Sequence, residues 1–288
     1  MAAERPLIVI IGPTASGKTG LALRIARQFN GEIISADSRA IYRGMDIGTA
    51  KPTKEELSEI QHWGIDLVNP DDRFTVYDFK KYVDEKIADI RSRNKLPILA
   101  GGSGLYVDAV IFDYQLDDEK NTTQERELLD GKSVNELIEL CKKRDITLPE
   151  NYKNKRYLIR AIERAGRCGN DRRQIISNTT IVGISTTKDE LMNRIIQRSD
   201  NMFSDGVIAE TERLSRKFNF ELESMKSNIY PIVKRLIDGE IGIDEAKALV
   251  VIDDWRLARK QMTWFRRNPF INWLPLDEAE KYLQSVLE

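Results

Sequence analysis

Residues Gly12 to Thr19 read GPTASGKT, which fits the spacing G-x-x-x-x-G-K-[ST]. That spacing builds a phosphate cradle. The stretch comprises Gly12, Pro13, Thr14, Ala15, Ser16, Gly17, Lys18 and Thr19. Backbone N–H groups between Gly12 and Lys18 are expected to turn inward, and the N-terminus of the following helix adds partial positive charge. Lys18 supplies a point charge to phosphate oxygens, and the Thr19 hydroxyl is placed to ligate Mg²⁺. The phosphate could belong to a nucleotide such as ATP or to a diphosphate leaving group. A second chemical candidate is Asp37, just after an apolar run, and a third is Ser103, in the turn from Gly101 to Gly104. A carboxylate at Asp37 can be a general base or an outer-shell metal partner. It can equally be a helix N-cap, which Asp favours.

These residues need a scaffold that gathers them. Leu7 to Ile11 is a short apolar, β-branched run ending in glycine, hence a strand entering the phosphate loop. Gly20 to Phe29 carries Leu21, Leu23, Ile25 and Ala26 at helical spacing. "GEIISADS" reads as a second strand with Asp37 at its C-terminal end. From Val76 to Arg93, Phe79, Val83, Ile87 and Ile90 form one helical stripe. "KLPILAGGSGLY" is a third strand running into a glycine turn, which places Ser103 at the same sheet edge as Asp37. In open α/β sheets ligands sit at that edge. The alternation predicts an α/β fold: a P-loop NTPase-like parallel sheet with flanking helices. After Phe112 the texture turns polar and helical, so residues 113–178 read as a small helical insert domain. The core then comprises 1–112 and 179–288. "TIVGIS" returns to the sheet. From Lys188 the chain is helical nearly to its end, with breaks at 220–228 and 268–275.

Composition narrows the class. Hydrophobic residues make up 41% and charged residues 32% of the 288, which suits a packed core. A net charge of −1 argues against a chain coated in nucleic acid, yet permits a local basic groove. Cys141 and Cys168 form neither a disulfide framework nor a metal-ligand spacing. A reduced, cytoplasmic setting is expected. The opening apolar run reads as a strand and not as a signal peptide, and no stretch has the length of a membrane span.

The motifs "GPTASGKT", "SADSRAIYRGMDIGTAKP", "LPILAGGSGLYVDA", "NKRYLIRAIE" and "RKQMTWFRR" occur here in one order. In that order the chain resembles the bacterial tRNA dimethylallyltransferase family over nearly its whole length. The resemblance implies transfer of a dimethylallyl group from dimethylallyl diphosphate to N6 of the adenosine next to the tRNA anticodon, with release of diphosphate. It implies that Lys18, Thr19 and Mg²⁺ stabilise the leaving charge and that Asp37 takes the N6 proton. Ser103 would hold Asp37 or N6, and Arg198 would lie near the diphosphate. The target base must leave the anticodon stack, which needs a closed pocket and gripping contacts. The resemblance places Asp37, Ser38, Arg39, Ala40 and Ser103 at the tRNA base, and Arg126, Arg156 and Arg160 of the insert on the tRNA. In "WRLARKQMTWFRR", Arg256, Arg259, Lys260 and Arg267 recur with Trp255 and Trp264 interleaved, as in an RNA-facing helix. His62, the single histidine, reads as structural. A monomer is expected.

Three positions depart from the family pattern. Ala40 stands where relatives carry Gln, Ile229 where they carry Gly before the tyrosine, with Pro231 after it, and Asp254-Trp255 where they carry Thr-Arg. Three other readings compete. An isopentenyltransferase on a free adenine nucleotide would act on AMP. A P-loop small-molecule kinase or NTPase would turn over ATP. A non-catalytic RNA-binding relative would bind tRNA without forming product.

Overall fold

The computed structural model describes residues 4–116, 123–149, 151–163, 174–226 and 229–288. Along the chain run β1 (Leu7–Ile11), α1 (Lys18–Phe29), β2 (Gly31–Ser35), α2 (Lys54–Glu59), β3 (His62–Trp63), α3 (Val76–Ser92), β4 (Leu96–Gly101) and α4 (Gly104–Ile111). Next come α5 (Thr123–Asp130), α6 (Val134–Lys143), α7 (Lys155–Glu163), β5 (Thr179–Ile184), α8 (Lys188–Ser204) and α9 (Val207–Ser215). The chain closes with α10 (Tyr230–Ile237), α11 (Ile243–Phe265), β6 (Asn272–Leu274) and α12 (Leu276–Leu287).

The strands form one parallel sheet in the order β3-β2-β4-β1-β5-β6. Strand β1 lies inside it, with Val9 between Leu99 and Ile181. A parallel strand covered on both faces has no polar side, which explains the unbroken run LIVII, every residue buried. On one face Ile8, Ile10, Ile98 and Val182 pack with Leu21 and Ile25 of α1 and Leu283 of α12. Helices α3 and α4 serve the other face, where Phe79 and Tyr106 stack with ring centroids 3.9 Å apart. Local signals set the helix starts. Thr75 and Thr187 each accept the N–H three residues on, and Asp78 and Glu190 reach back to complete a capping box.

The described residues fall into two compact units, one within 1–113 and 174–288, the other within 114–173. The larger unit has a second core in which Met45 joins Met202, Phe203, Val207, Met225, Tyr230 and Val233 from the C-terminal helices and their connections. The smaller unit packs Leu129, Leu137, Cys141, Leu158, Ile159 and Ile162 between α5, α6 and α7. Cys168 lies outside the described residues.

Three boundaries differ from the sequence reading. Helix α1 starts at Lys18, since Lys18 and Thr19 form its first turn. Strands β3 and β6 are additional, and both are edge strands of two and three residues, too short to show a period. β6 falls in what reads as a helical break and pairs with β5 through Gly183 and Trp273.

Phe79 is fully buried against Tyr106. Phe79→Ala is therefore expected to cost about 3–5 kcal/mol of folding stability, read as a fall in the urea midpoint.

Candidate active site

The phosphate loop sits at the C-terminal end of β1, and Gly17 adopts φ +91° at the head of α1. A side chain there would be strained, so glycine is required for the tight entry. Lys18 folds back and donates from Nζ to the Pro13 carbonyl at 3.1 Å. Two C-terminal helices hold the loop from outside. From α8, Arg194 Nη1 donates to the Ser16 carbonyl at 3.0 Å. From α11, Gln261 Oε1 accepts the Thr14 N–H at 2.8 Å. Arg198 Nη1 donates both to Thr14 Oγ1 and, at 2.7 Å, to Asp254 Oδ2. Ser16 Oγ is buried with no hydrogen-bond partner among the described residues.

The facing wall comes from the turns after β2 and β4. Asp37 lies two residues beyond β2, and its Oδ1 accepts the Arg39 N–H at 2.8 Å. No helix follows, so the carboxylate stabilises a turn and is not a helix cap. Ser103 does not bond Asp37. Its Oγ accepts the Ser38 N–H at 2.9 Å and donates to Ser38 Oγ at 3.2 Å, which ties the two turns together one residue away from the carboxylate. Gly104 allows a close approach in this wall: a Cβ there would lie 2.2 Å from Trp264 Cδ1. Trp264 Nε1 in turn donates to Asp108 Oδ2 at 2.8 Å.

A third wall is the loop containing DIGTAKP. Glu210, buried on α9, accepts the N–H groups of Asp46, Ile47 and Gly48 at 3.0, 2.9 and 2.9 Å. It also accepts the Tyr230 hydroxyl at 2.8 Å. Burial, and next the Glu210 charge, push the Tyr230 pKa upward, so the phenol stays a donor. Lys51 pairs with Asp46 at the start of the same loop at 2.7 Å and ties the loop to Asp66 at 2.6 Å. Sequence reasoning missed Glu210, Gln261 and the Asp254 contact. A signal existed for Glu210: it lies on the inward stripe Val207, Glu210, Thr211, Leu214, where an acid needs partners.

These walls enclose two neighbouring cavities of about 520 and 220 Å³. Thr14, Lys18, Asp37, Thr49 and Arg198 line both, Thr19 lines the smaller, and Ser38, Arg39 and Ser103 line the larger. Burial lowers the Lys18 pKa to about 8; Asp37 opposes that fall, Arg198 adds to it and Asp254 opposes it. The Tyr106 pKa rises, first through burial and then through Tyr42 and Asp37.

The RNA-contact expectations fare differently from position to position. Ala40 is buried, lines the smaller cavity, and its carbonyl accepts the Asp66 N–H at 3.1 Å. The tryptophans of α11 are both partly buried. Trp264 lines the larger cavity, and Trp255 packs on Leu191, Ile195 and Ala258. Arg256 and Arg259 are exposed, and Arg256 pairs with Asp253 at 3.0 Å. In the smaller unit Arg156 is exposed, Arg160 is half-buried on α7, and Arg126 pairs with Glu163 at 3.4 Å. His62 Nδ1 lies 2.7 Å from the Ile60 carbonyl, burial lowers its pKa, and it borders the smaller cavity.

A parallel sheet whose phosphate loop opens into a cleft at the C-terminal strand edge defines a phosphate-loop protein with a carboxylate facing its anion site. The family model described as IPP transferase matches residues 40–268. The chain is 37% identical to a tRNA dimethylallyltransferase of Staphylococcus haemolyticus, over 98% of this chain and 90% of that one. It is 34% identical to the Staphylococcus aureus enzyme of that name, over 98% and 96%. Among solved structures, the full-length tRNA isopentenylpyrophosphate transferase of Bacillus halodurans superposes with a TM-score of 0.74 at 32% identity, covering 99% of this chain and 96% of that one. A eukaryotic dimethylallyltransferase acting on tRNA, 20% identical, shares the fold with a TM-score of 0.77, over 94% of this chain and 74% of that one. The chain belongs to the tRNA dimethylallyltransferase family of IPP transferases.

With its pKa near 8, Lys18 is largely neutral at pH 9 in the free protein. An anion bound beside it raises that pKa, so binding takes up a proton. Calorimetry of inorganic diphosphate binding at pH 9, in two buffers of different ionisation enthalpy, is expected to show more proton uptake in wild type than in Lys18→Met.

Proposed function

We propose that this chain transfers the dimethylallyl group of dimethylallyl diphosphate to N6 of the adenosine adjacent to the tRNA anticodon and releases diphosphate. One observation carries the reading: Lys18 of the phosphate loop and the Asp37 carboxylate line the same two cavities. A diphosphate anchor and a proton acceptor thus face one space, as the reaction needs.

The diphosphate occupies the phosphate loop, held by loop N–H groups, Lys18 and Arg198. The allylic C–O bond breaks and its electron pair leaves on the diphosphate oxygen, where these positive groups stabilise it. The adenine N6 attacks the allylic carbon, and the N6 proton passes to Asp37. A carboxylate is a weak base toward a neutral amine, and becomes adequate once N6 carries developing positive charge. Ser103 acts one step back, by bonding Ser38 beside Asp37. The walls from Trp264 and from the DIGTAKP loop limit water around the allylic cation.

A divalent cation fits the donors present. The Thr19 hydroxyl, a hard oxygen ligand, lines the smaller cavity, and Asp37 across that cavity would act on the ion only through water. No group of three or more His, Cys, Asp or Glu able to hold a metal stands among the described residues. Mg²⁺ accordingly fits as an ion shared with substrate phosphates and water. When bound, it neutralises charge on the leaving diphosphate.

The tRNA is gripped by Arg156 and Arg160 of the smaller unit and by Arg256 and Arg259 of α11, with Arg126 as a further phosphate contact. No described helix is long and apolar enough to cross a membrane.

Mass spectrometry of nucleosides from tRNA incubated with this protein, Mg²⁺ and dimethylallyl diphosphate tests the proposal. N6-dimethylallyladenosine is the expected product. Asp37→Asn should lower kcat by about 10²-fold or more, in the range of general-base catalysis, with little change in donor affinity. ATP turnover without the modified nucleoside would favour a kinase instead.

If the arginines meet tRNA phosphates, binding weakens steeply with salt. Arg156→Ala combined with Arg160→Ala should flatten the slope of log Kd against log salt by about 1–2. A salt-insensitive Kd would count against this grip.

A further inference from the structure

Arg198 meets a carboxylate where an anion site would be expected to offer it free. Its Nη1 is shared between Thr14 Oγ1 of the phosphate loop and Asp254 Oδ2 of α11, the latter at 2.7 Å. The Asp254 side chain is 7% exposed and the Arg198 side chain 23%. Asp254 lines the larger cavity with Lys18, Asp37 and Arg198, and its charge acts on Lys18 as well. Arg39 and Lys260 line that cavity too, so Asp37 and Asp254 are its two anions against four cations.

We propose that Asp254 is an internal competitor for Arg198 that weakens the hold on the diphosphate and speeds its release. This rests on the reading of the phosphate loop as a diphosphate site. A bound diphosphate and Asp254 present like charges to one guanidinium. Binding therefore has to overcome the repulsion between them. As diphosphate departs, Asp254 supplies the countercharge that a half-buried guanidinium needs, which lowers the cost of letting go. The effect grows with anion charge. It bears more on free diphosphate, the product, than on the esterified donor, which carries less charge. Asp254 thus biases the site toward donor over product.

A role in merely shaping the site predicts the opposite sign: removing a shaping residue loosens binding. Asp254→Asn keeps an oxygen for Arg198 to bond and removes the charge. Inorganic diphosphate titrated into the full-length protein should bind about tenfold tighter in Asp254→Asn, the scale of one nearby charge in a partly screened site. The gain for dimethylallyl diphosphate should be smaller, and diphosphate should become a stronger product inhibitor. Asp254→Thr serves as a second variant should the amide fold poorly, and the same tightening is expected. Unchanged or weaker diphosphate binding in well-folded variants overturns the proposal. Lys18→Ala in the same assay separates the two levels: if it binds diphosphate as wild type does, the phosphate-loop reading itself has failed.

Discussion

Keeping positive charge beside a glycine-rich loop, partly withdrawn from bulk water, is the constraint on which the site is built. Loop N–H groups and the head of α1 contribute fixed partial charge. Lys18 and Arg198 add full charges, and burial makes them costly, as the lowered Lys18 pKa records. The surrounding groups answer that cost. Pro13 and Ser16 carbonyls take donors from Lys18 and Arg194, Thr14 takes one from Arg198, and Asp254 and Asp37 supply negative charge nearby. The loop is thereby held in shape by groups from elsewhere in the chain.

Two buried acids show how differently a carboxylate can be used in one site. Glu210 spends its charge on backbone N–H groups of the DIGTAKP loop and on the Tyr230 hydroxyl. Those donors are fixed, so the carboxylate has no reason to exchange partners and acts as a rivet for one wall. Asp254 faces a guanidinium that a substrate also wants. Its partner can change, and so its charge can influence the reaction cycle. Burial alone would not separate the two; the identity of the partner does.

What was legible in the sequence was local. The phosphate loop announces itself because its ligands are backbone groups and neighbours within eight residues. The stripe Phe79, Val83, Ile87, Ile90 and the run LIVII report burial directly. Asp37 was readable from its place after β2, although its turn-capping bond with Arg39 was not distinguishable from a helix cap. The partners of Gln261, Glu210 and Asp254 lie 247, 162 to 164 and 56 positions away. No period or motif carries pairings of that range; only the fold does. The surroundings of Ala40 and of the tryptophans of α11 were likewise not legible. Ala40 owed its expected role to the family pattern and the tryptophans theirs to interleaving with arginines; the turn after β2 buries Ala40, and α11 partly buries Trp255 and Trp264.

Helix α11 carries the consequence furthest. Its inward positions Asp254, Gln261 and Trp264 touch, in turn, Arg198, the Thr14 N–H and Asp108 beside the Gly104 turn. Its outward positions Arg256 and Arg259 are exposed and basic. One rigid element therefore presents charge to solvent on one side and fixes the anion loop on the other. A rotation of the helix about its axis by a fraction of a turn would move Gln261 off the loop and Asp254 off Arg198 together. Arg256 and Arg259 stand two and five positions after Asp254, so a single helical register fixes both which side chains reach the loop and which face solvent.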